Sequence, residues 1–188
     1  MTTAPGDRSI LYMPAPGNRW WHVMFSTHCA WLPGDERGFR SKHHRIHSSG
    51  DYKSPPPATE HAGLRLYHES RHPQTVRIPS ALRRNVAKWI AQVLEQLGQR
   101  VLIVSVSEKH AHLLAELPSD LKEFNRVVGM CKSKSSRAIK STLPGQIWAR
   151  KDKHILVRDR AQRKSVYLYL RDKQGRSAAS WHLNLTFE

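Results

Sequence analysis

The stretch VLIVSVSEKHAHLLAEL, residues 101–117, decides the fold that the sequence predicts. An apolar run is followed by a turn of two or three residues and then by a second run in which polar and apolar residues alternate. This pattern predicts two consecutive strands of a sheet. On the second strand, His110 and His112 point to one face of the sheet, while Ala111 and Leu113 point to the other face.

Two imidazoles on one face of a sheet can act as two ligands of a divalent cation. The alternative is that both are solvated or hydrogen-bonded histidines at the surface, since the chain contains 12 histidines in all. The spacing of His110 and His112 by itself leaves both interpretations open.

Two long helices are predicted on either side of these strands. Residues 80–97 carry apolar side chains at helical spacing, and Ser80 stands where an N-terminal capping residue is expected. A second helix is predicted over residues 120–140, because Asp120 and Glu123 have the spacing of a capping box. The residues expected on its buried side are Leu121, Phe124, Val127, Val128 and Cys131.

The remaining elements complete an α+β domain. Alternating residues predict a first strand over Arg19–Trp31, a later strand over His154–Arg158 and a closing strand near Ser180, and a short helix is predicted over residues 159–173. The order of elements matches a ferredoxin-like split βαβ core, in which an antiparallel sheet carries the two long helices on one face. The last helix bears tyrosines. We expect the long helices to leave the histidine face open for a site.

A single domain is expected over residues 19–188, preceded by a flexible arm over residues 1–18 that contains three prolines. A basic insertion rich in proline and histidine, at about residues 33–75, is expected to be a long loop. Such a loop is either functional or without fixed structure.

The sequence favours a cytoplasmic protein. No apolar run is long enough to span a membrane, and the N-terminal residues lack the apolar core of a secretory signal. Cys29 and Cys131 are far apart and lack the spacing of a metal site, which is typical of reduced thiols.

Positive charge is the strongest feature of the composition. The chain has 31 Lys and Arg against 15 Asp and Glu, for a net charge of +16. This excess favours nucleic acid as the partner, whereas an anionic membrane is disfavoured because no long basic amphipathic helix is found. A run of charge can also be a solvated surface. The residues expected to contact phosphates are Arg40, Lys42, Arg45, Lys132, Lys134, Arg137, Lys140 and Arg150.

Three tryptophans could stack on unpaired bases, namely Trp20, Trp21 and Trp31. Packing in the core is the alternative, and we expect it for at least two of the three.

Four features, in their order along the chain, resemble the HUH single-tyrosine transposases, and among them the REP-associated tyrosine transposases. They are Trp21-His-Val-Met-Phe-Ser-Thr-His28, His110-Ala-His-Leu-Leu114, the basic segment from Lys132 to Arg137 ahead of Trp148, and Arg158-Asp159 followed after nine residues by Tyr169-Leu170. These features cover most of residues 19–174, and the insertion lies outside the usual core of the family.

The resemblance implies an endonuclease and strand transferase that acts on single-stranded DNA hairpins. It implies that His110 and His112 hold Mg²⁺ or Mn²⁺ and that Tyr169 attacks phosphorus to form a covalent 5′-phosphotyrosine. Rejoining then needs no nucleotide cofactor, because the bond energy is stored. Tyr167 is the rival nucleophile, but residues two apart on a helix face different sides, and the spacing of Tyr169 from Asp159 matches the family.

The position that supplies a third metal ligand in the family holds Lys173 here, which cannot coordinate a metal while charged. The remaining candidates are Gln174, Asp172 and Glu116, the last of which lies on the same sheet face as the histidines. Lys173 also keeps a second interpretation open, a catalytically inactive module of the same fold that binds a DNA or RNA hairpin. The resemblance allows a monomer or a homodimer.

Overall fold

The structure of this protein is a computed structural model that describes residues 13–35, 38–39, 47–50, 54–57, 59–72, 74–175 and 178–183. Its strands are β1 (Asn18–Thr27), β2 (Val101–Val106), β3 (His110–Pro118), β4 (Trp148–Leu156) and β5 (Ala179–His182). Its helices are α1 (Ala62–Arg71), α2 (Ser80–Gln96), α3 (Leu121–Ala138) and α4 (Arg160–Asp172). None of these helices is long and apolar enough to cross a membrane.

The strands form one antiparallel sheet in the order β4-β1-β3-β2-β5. The connection from β1 to β2 runs through α2 and leaves room for β3 between them, and the connection from β3 to β4 runs through α3 and leaves room for β1. This interleaving is the split βαβ arrangement. The predicted α+β, ferredoxin-like core is confirmed, and β5 extends its sheet beside β2.

The two faces of the sheet are packed differently. On one face, Ala111 of β3 shares the main hydrophobic core with Ile90 of α2 and Val127 of α3, as the alternation in β3 predicts. On the other face, Leu114 of β3 belongs to a second cluster that includes Tyr167 of α4. The expectation that the whole histidine face is open is therefore wrong, because α4 covers part of it. The open part lies at the N-terminal end of β3.

The starts of the long helices differ in part from the prediction. Ser80 is the first residue of α2, which has no side-chain cap, so the predicted cap at Ser80 is wrong. Asp120 does cap α3, because its carboxylate accepts a hydrogen bond from the amide of Glu123 at 2.9 Å. Leu121 is 60% exposed and not buried as predicted, since the core that packs against α3 begins at Phe124.

Two strand boundaries also differ. β1 ends at Thr27 instead of Trp31, because the chain turns at Cys29, whose φ is 56°. β4 begins at Trp148, well before the predicted start at His154. This strand lies at the edge of the sheet and most of its residues are exposed, so the polar residues in its first half hide the strand pattern.

The insertion at about residues 33–75 is partly helical and not a loop throughout. It contains α1, in which no residue is buried, so no apolar stripe marks the helix in the sequence. Residues 36–37, 40–46, 51–53, 58 and 73 of the insertion lie outside the described residues, as do residues 1–12 of the predicted arm.

Candidate active site

The pairing of β1 with β3 brings three histidines to one face of the sheet. In this register Met24 lies opposite His112, Ser26 lies opposite His110, and His22 is the preceding residue on the same face of β1. The Nε2 atom of His22 lies 3.0 Å from the Nδ1 atom of His112, and their ring centroids are 5.2 Å apart. The rings of His110 and His112 meet edge to face with centroids 4.9 Å apart. We call these three imidazoles the histidine cluster.

Burial keeps two members of the cluster neutral. It lowers the pKa of His112 from 6.5 to about 3, with further contributions from the charges of His110 and His22. Burial also lowers the pKa of His22 from 6.5 to about 4, and the positive charge of Lys153 adds to this change. An imidazole must be neutral to bind a metal, so His112 is in the ligating form across the physiological pH range.

Gln174 joins the cluster from the end of α4. Lys173 closes the helix, its amide donating to the carbonyl of Tyr169 at 2.9 Å, and Gln174 follows directly. The Oε1 atom of Gln174 lies 3.3 Å from the Nε2 atom of His110. The Nε2 atom of Gln174 is buried and has no hydrogen-bond partner. Of the three candidates for a third ligand, Gln174 is the one that the structure brings to the histidines.

The other two candidates lie elsewhere. Asp172 is exposed and accepts two hydrogen bonds from Arg171, at 2.7 and 2.9 Å. Glu116 is buried, but it is four residues from His112 along β3, a separation of roughly 13 Å at the rise of a strand. Its carboxylate is bound by the guanidinium of Arg100. Neither carboxylate is placed to share a cation with the histidines.

The two tyrosines of α4 face different environments. Tyr169 is 46% exposed, and the centroid of its ring lies 6.4 Å from that of His112. Tyr167 is 1% exposed, and its hydroxyl donates to the carbonyl of Leu183 at 2.6 Å. Tyr169 is therefore the tyrosine on the side of the histidine cluster, whereas Tyr167 is a packing residue that fastens α4 to the chain after β5.

A cleft of about 610 Å³ opens beside the histidine cluster, and His110, His112 and Tyr169 line it. Its charged lining residues are Lys109, Lys151, Lys153 and Asp152. The single carboxylate, that of Asp152, forms an ion pair with Lys132 at 2.9 Å. The cleft is therefore electropositive, which favours a phosphate-bearing ligand.

A second cleft, of about 720 Å³, lies between α1 and the segment that follows β1. Its cationic lining residues are Arg65, Arg77 and Lys109, and the carboxylates of Asp35 and Glu69 offset most of their charge. The histidine cluster and Tyr169 do not line it. The larger cleft is therefore the weaker candidate for the active site, because it lacks both the imidazole ligands and the tyrosine.

The donor set near the cleft fits a weakly bound divalent cation. Within the described residues, no group of three or more His, Cys, Asp or Glu side chains could hold a metal ion. A site at this position must therefore add the amide oxygen of Gln174 to the imidazoles of His110 and His112. Amide oxygen suits Mg²⁺ and Mn²⁺, while imidazole is a poor ligand for Mg²⁺. Oxygens of a bound phosphate would complete the coordination.

The predicted phosphate contacts fall into three groups. The exposed residues are Lys134, Arg137, Lys140 and Arg150. None of these lines the cleft, and α3, which carries the first two, packs on the opposite face of the sheet. Lys132 differs because its ammonium donates to Asp152 at 2.9 Å and to the carbonyl of Arg150 at 3.2 Å, which makes it a structural residue. The residues outside the described ranges are Arg40, Lys42 and Arg45.

The tryptophans divide as expected. Trp20 is buried, and the ring of Trp21 packs edge to face on Phe124 with centroids 5.2 Å apart, so both belong to the core. Trp31 is exposed and lines the 610 Å³ cleft.

Sequence reasoning missed His22 and the lysines of the cleft. His22 stands within the alternating residues of the first strand, but its contact with His112 depends on a pairing between residues 90 apart in the chain. Lys151 and Lys153 alternate along β4, where the sequence predicted no strand. Lys109 could have been predicted as a site residue, because it stands directly before His110 in the predicted turn between the two strands.

A scan against protein-family models and a search of curated proteins find no match for this chain. Among solved structures, the chain is similar to a REP-associated tyrosine transposase bound to a REP hairpin. The TM-score is 0.43 and the identity 13%, over 85% of this chain and 66% of that chain, just under two thirds of its length. It is also similar to a protein described as a transposase from Deinococcus radiodurans R1, with a TM-score of 0.43 and 14% identity over 83% of this chain and 91% of that one. Similarity at this level assigns no activity to the chain.

Proposed function

We propose that this protein is a single-stranded DNA endonuclease and strand transferase, a transposase-type enzyme that acts on DNA hairpins through a covalent 5′-phosphotyrosine. The observation that carries the proposal is the meeting of four side chains from two distant segments beside one electropositive cleft, three of which line the cleft while Gln174 contacts one of those three. His110 and His112 come from β3, and Tyr169 and Gln174 come from α4 and the residues after it. The motifs that contain His110, His112 and Tyr169 also resemble those of the HUH transposases.

Tyr169 is the nucleophile of this proposal. Its phenol oxygen attacks the scissile phosphorus, the new Oη–P bond forms, and the bond from phosphorus to the 3′ oxygen of the leaving strand breaks. The phenol proton is lost to solvent, and the leaving oxygen takes up a proton to become a 3′ hydroxyl. A second 3′ hydroxyl can reverse this exchange, so strand transfer needs neither ATP nor another nucleotide cofactor.

His110, His112 and Gln174 would hold Mg²⁺ or Mn²⁺. When bound, the cation supplies Lewis-acid polarisation of the phosphate. The chain contributes a neutral imidazole at His112, since burial lowers the pKa of His112 to about 3, and the lysines of the cleft contribute positive charge that attracts the DNA backbone. The protein surface around Tyr169 thus orients the phosphate toward the phenol.

The second interpretation, an inactive module that binds a DNA or RNA hairpin, rests on Lys173 at the expected ligand position. The contact between Gln174 and His110 at 3.3 Å weighs against it, because the next residue supplies an amide oxygen where Lys173 does not. We therefore favour an active enzyme over an inactive binding module.

A covalent-adduct assay tests the proposal. The protein is incubated with labelled single-stranded hairpin oligonucleotides from the flanks of its own gene, with Mn²⁺, with Mg²⁺ and with chelator. We expect a protein-linked label that requires the metal and is lost in Tyr169→Phe and in His112→Ala.

Tyr167→Phe is the matched control, because Tyr167 is buried two residues away on the same helix. Label retained in Tyr169→Phe but lost in Tyr167→Phe would move the nucleophile to Tyr167. Tight binding of hairpins without an adduct under any metal would instead establish the binding module.

A further inference from the structure

We propose that Trp31 is the platform on which one unpaired base, adjoining the scissile phosphate, stacks in the cleft. This inference rests on the proposed function and names the part of the DNA that the same cleft recognises. It assigns the short segment between β1 and the insertion a role in binding the substrate.

Trp31 differs from the other tryptophans in its exposure. It is 52% exposed, while the remaining five of the six tryptophans are buried or partly buried. A single exposed aromatic side chain is common on proteins and implies nothing by itself. The position of this one is informative, because its ring lines the same cleft as His112 and Tyr169.

The ring of Trp31 is held in place. Its indole Nε1 donates to the carbonyl of Gly38 at 3.1 Å, which ties the tryptophan to the beginning of the insertion. Gly38 has a φ of 89°, a conformation that favours glycine. The orientation of the carbonyl that accepts this hydrogen bond therefore depends on glycine at this position. A fixed aromatic ring loses little conformational entropy when a base stacks on it.

Lys109 and the two lysines of β4 supply the second half of a nucleotide-binding surface. Lys109, Lys151 and Lys153 line the cleft together with Trp31. A positive groove that binds phosphates combined with an aromatic ring that stacks on bases is the combination that single-stranded nucleic acid requires. A base inside a duplex presents no free face, so the platform selects an unpaired nucleotide at the edge of the hairpin stem.

Binding to single-abasic oligonucleotides tests this inference without altering the protein. All proteins carry Tyr169→Phe, so that no cleavage occurs, and fluorescence anisotropy gives the Kd of a hairpin oligonucleotide and of versions that lack one base at each unpaired position in turn. We expect one position at which removal of the base weakens binding by roughly 5- to 150-fold, the range for one stacked base.

The same series is then repeated with Trp31→Leu, which keeps an apolar side chain but has no aromatic face. We expect Trp31→Leu to weaken binding of the intact hairpin by a similar factor, and removal of the base at that position to have no further effect. Trp31→Phe should recover most of the affinity. Trp89→Phe on α2, on the helix side of the sheet, is the matched control and should bind as the parent does.

Each outcome separates this inference from the proposed function. If the unaltered protein forms the adduct but the effects of Trp31→Leu and of the abasic positions are simply additive, the platform is wrong and the endonuclease stands. If the coupling between Trp31 and one base is found but no adduct forms, the platform stands as a binding site and the endonuclease is wrong. Coupling that is found with an RNA hairpin but not with the DNA hairpin would overturn the assignment of DNA as the ligand.

Discussion

The Nε2 atom of His22 lies 3.0 Å from the Nδ1 atom of His112 in the buried part of the sheet. One of these two nitrogens must carry the shared proton. If His112 presents the lone pair of its Nε2 atom to a metal, the proton lies on its Nδ1 atom and His22 is the acceptor. The contact therefore selects the tautomer of His112 and fixes its orientation, as partners of metal-binding histidines do elsewhere.

Replacing His22 with Phe should weaken the binding of Mn²⁺ by about 10- to 100-fold, the usual effect of removing such a partner. His22→Gln should recover most of the affinity, because its amide oxygen can accept the same proton. The measurement is the electron paramagnetic resonance signal of free Mn²⁺ during a titration. The control is His154→Gln in β4, because His154 lies on the face of the sheet opposite to His22. Wild-type affinity in His22→Phe would show that this contact has no role in the metal site.

Gln174→Ala should weaken Mn²⁺ binding, whereas Glu116→Gln should not. The reason is that Gln174 contacts His110, while the carboxylate of Glu116 is bound by Arg100 far along β3. Glu116→Gln should instead lower the melting temperature, since it removes one partner of a buried ion pair. The same titration, together with thermal unfolding, distinguishes the two variants. A loss of Mn²⁺ affinity in Glu116→Gln alone would return that residue to the list of ligands.

Stability should fall in mild acid because of the histidine cluster. His22 and His112 have pKa values of about 4 and about 3 in the folded protein, against 6.5 when unperturbed, so the unfolded chain takes up protons first as the pH falls. Their contribution to stability is complete above about pH 6.5 and is lost as the pH falls from there toward the folded values. Urea unfolding at a series of pH values measures this.

The control for the acid effect is a double variant, His22→Phe with His112→Leu, in which neither group can titrate. Its free energy of unfolding should decline less steeply between about pH 6.5 and pH 4 than that of the wild type. An equal decline in both proteins would assign the acid sensitivity to carboxylates elsewhere.

Replacement by Ala should lower the stability of the protein at Lys132 but not at Lys134. Lys132→Ala should lower the free energy of unfolding by about 1–3 kcal/mol, because it removes the ammonium that pairs with Asp152 and donates to the carbonyl of Arg150. Lys134→Ala should leave stability unchanged within about 0.5 kcal/mol, because its side chain is exposed. Urea unfolding measures both values.

The effect of Lys134→Ala on DNA binding tests whether Lys134 contacts a phosphate. If Lys134 contacts a phosphate, its removal should reduce by about 1 the slope of log affinity against log salt concentration. An unchanged slope would mean that Lys134 does not contact a phosphate of the bound DNA.

The sequence predicted the core because its local patterns and its tertiary structure agree. The run of residues 101–117 forms the paired strands β2 and β3, with the alternation of β3 placing Ala111 in the core. The first half of β4 and the helix α1 were not predicted, and the reason is the same for both. Residues 150–153 of β4, at the edge of the sheet, are all charged, and α1 buries no residue, so neither segment leaves an apolar pattern in the chain.

Part of the candidate site was predictable from the sequence. His110 and His112 are marked by their spacing on one strand, Tyr169 by the spacing from Asp159 that matches the resembled family, and Gln174 was one of three candidates left open for a third ligand. His22 and Gln174 enter through contacts across 90 and 64 residues, which depend on strand register and on where α4 ends. Neither register nor the exact end of a helix can be read from composition and periodicity.

The attachment of α4 has a consequence for stoichiometry. β5 returns to pair with β2, and the hydroxyl of Tyr167 binds the carbonyl of Leu183 just after it, so the helix that carries Tyr169 is fastened to the sheet of its own chain. In this arrangement one chain supplies His110, His112, Tyr169 and Gln174. The yield of adduct per chain should not fall on dilution. A mixture of Tyr169→Phe and His112→Ala proteins should remain inactive, because neither subunit can lend the other what it lacks.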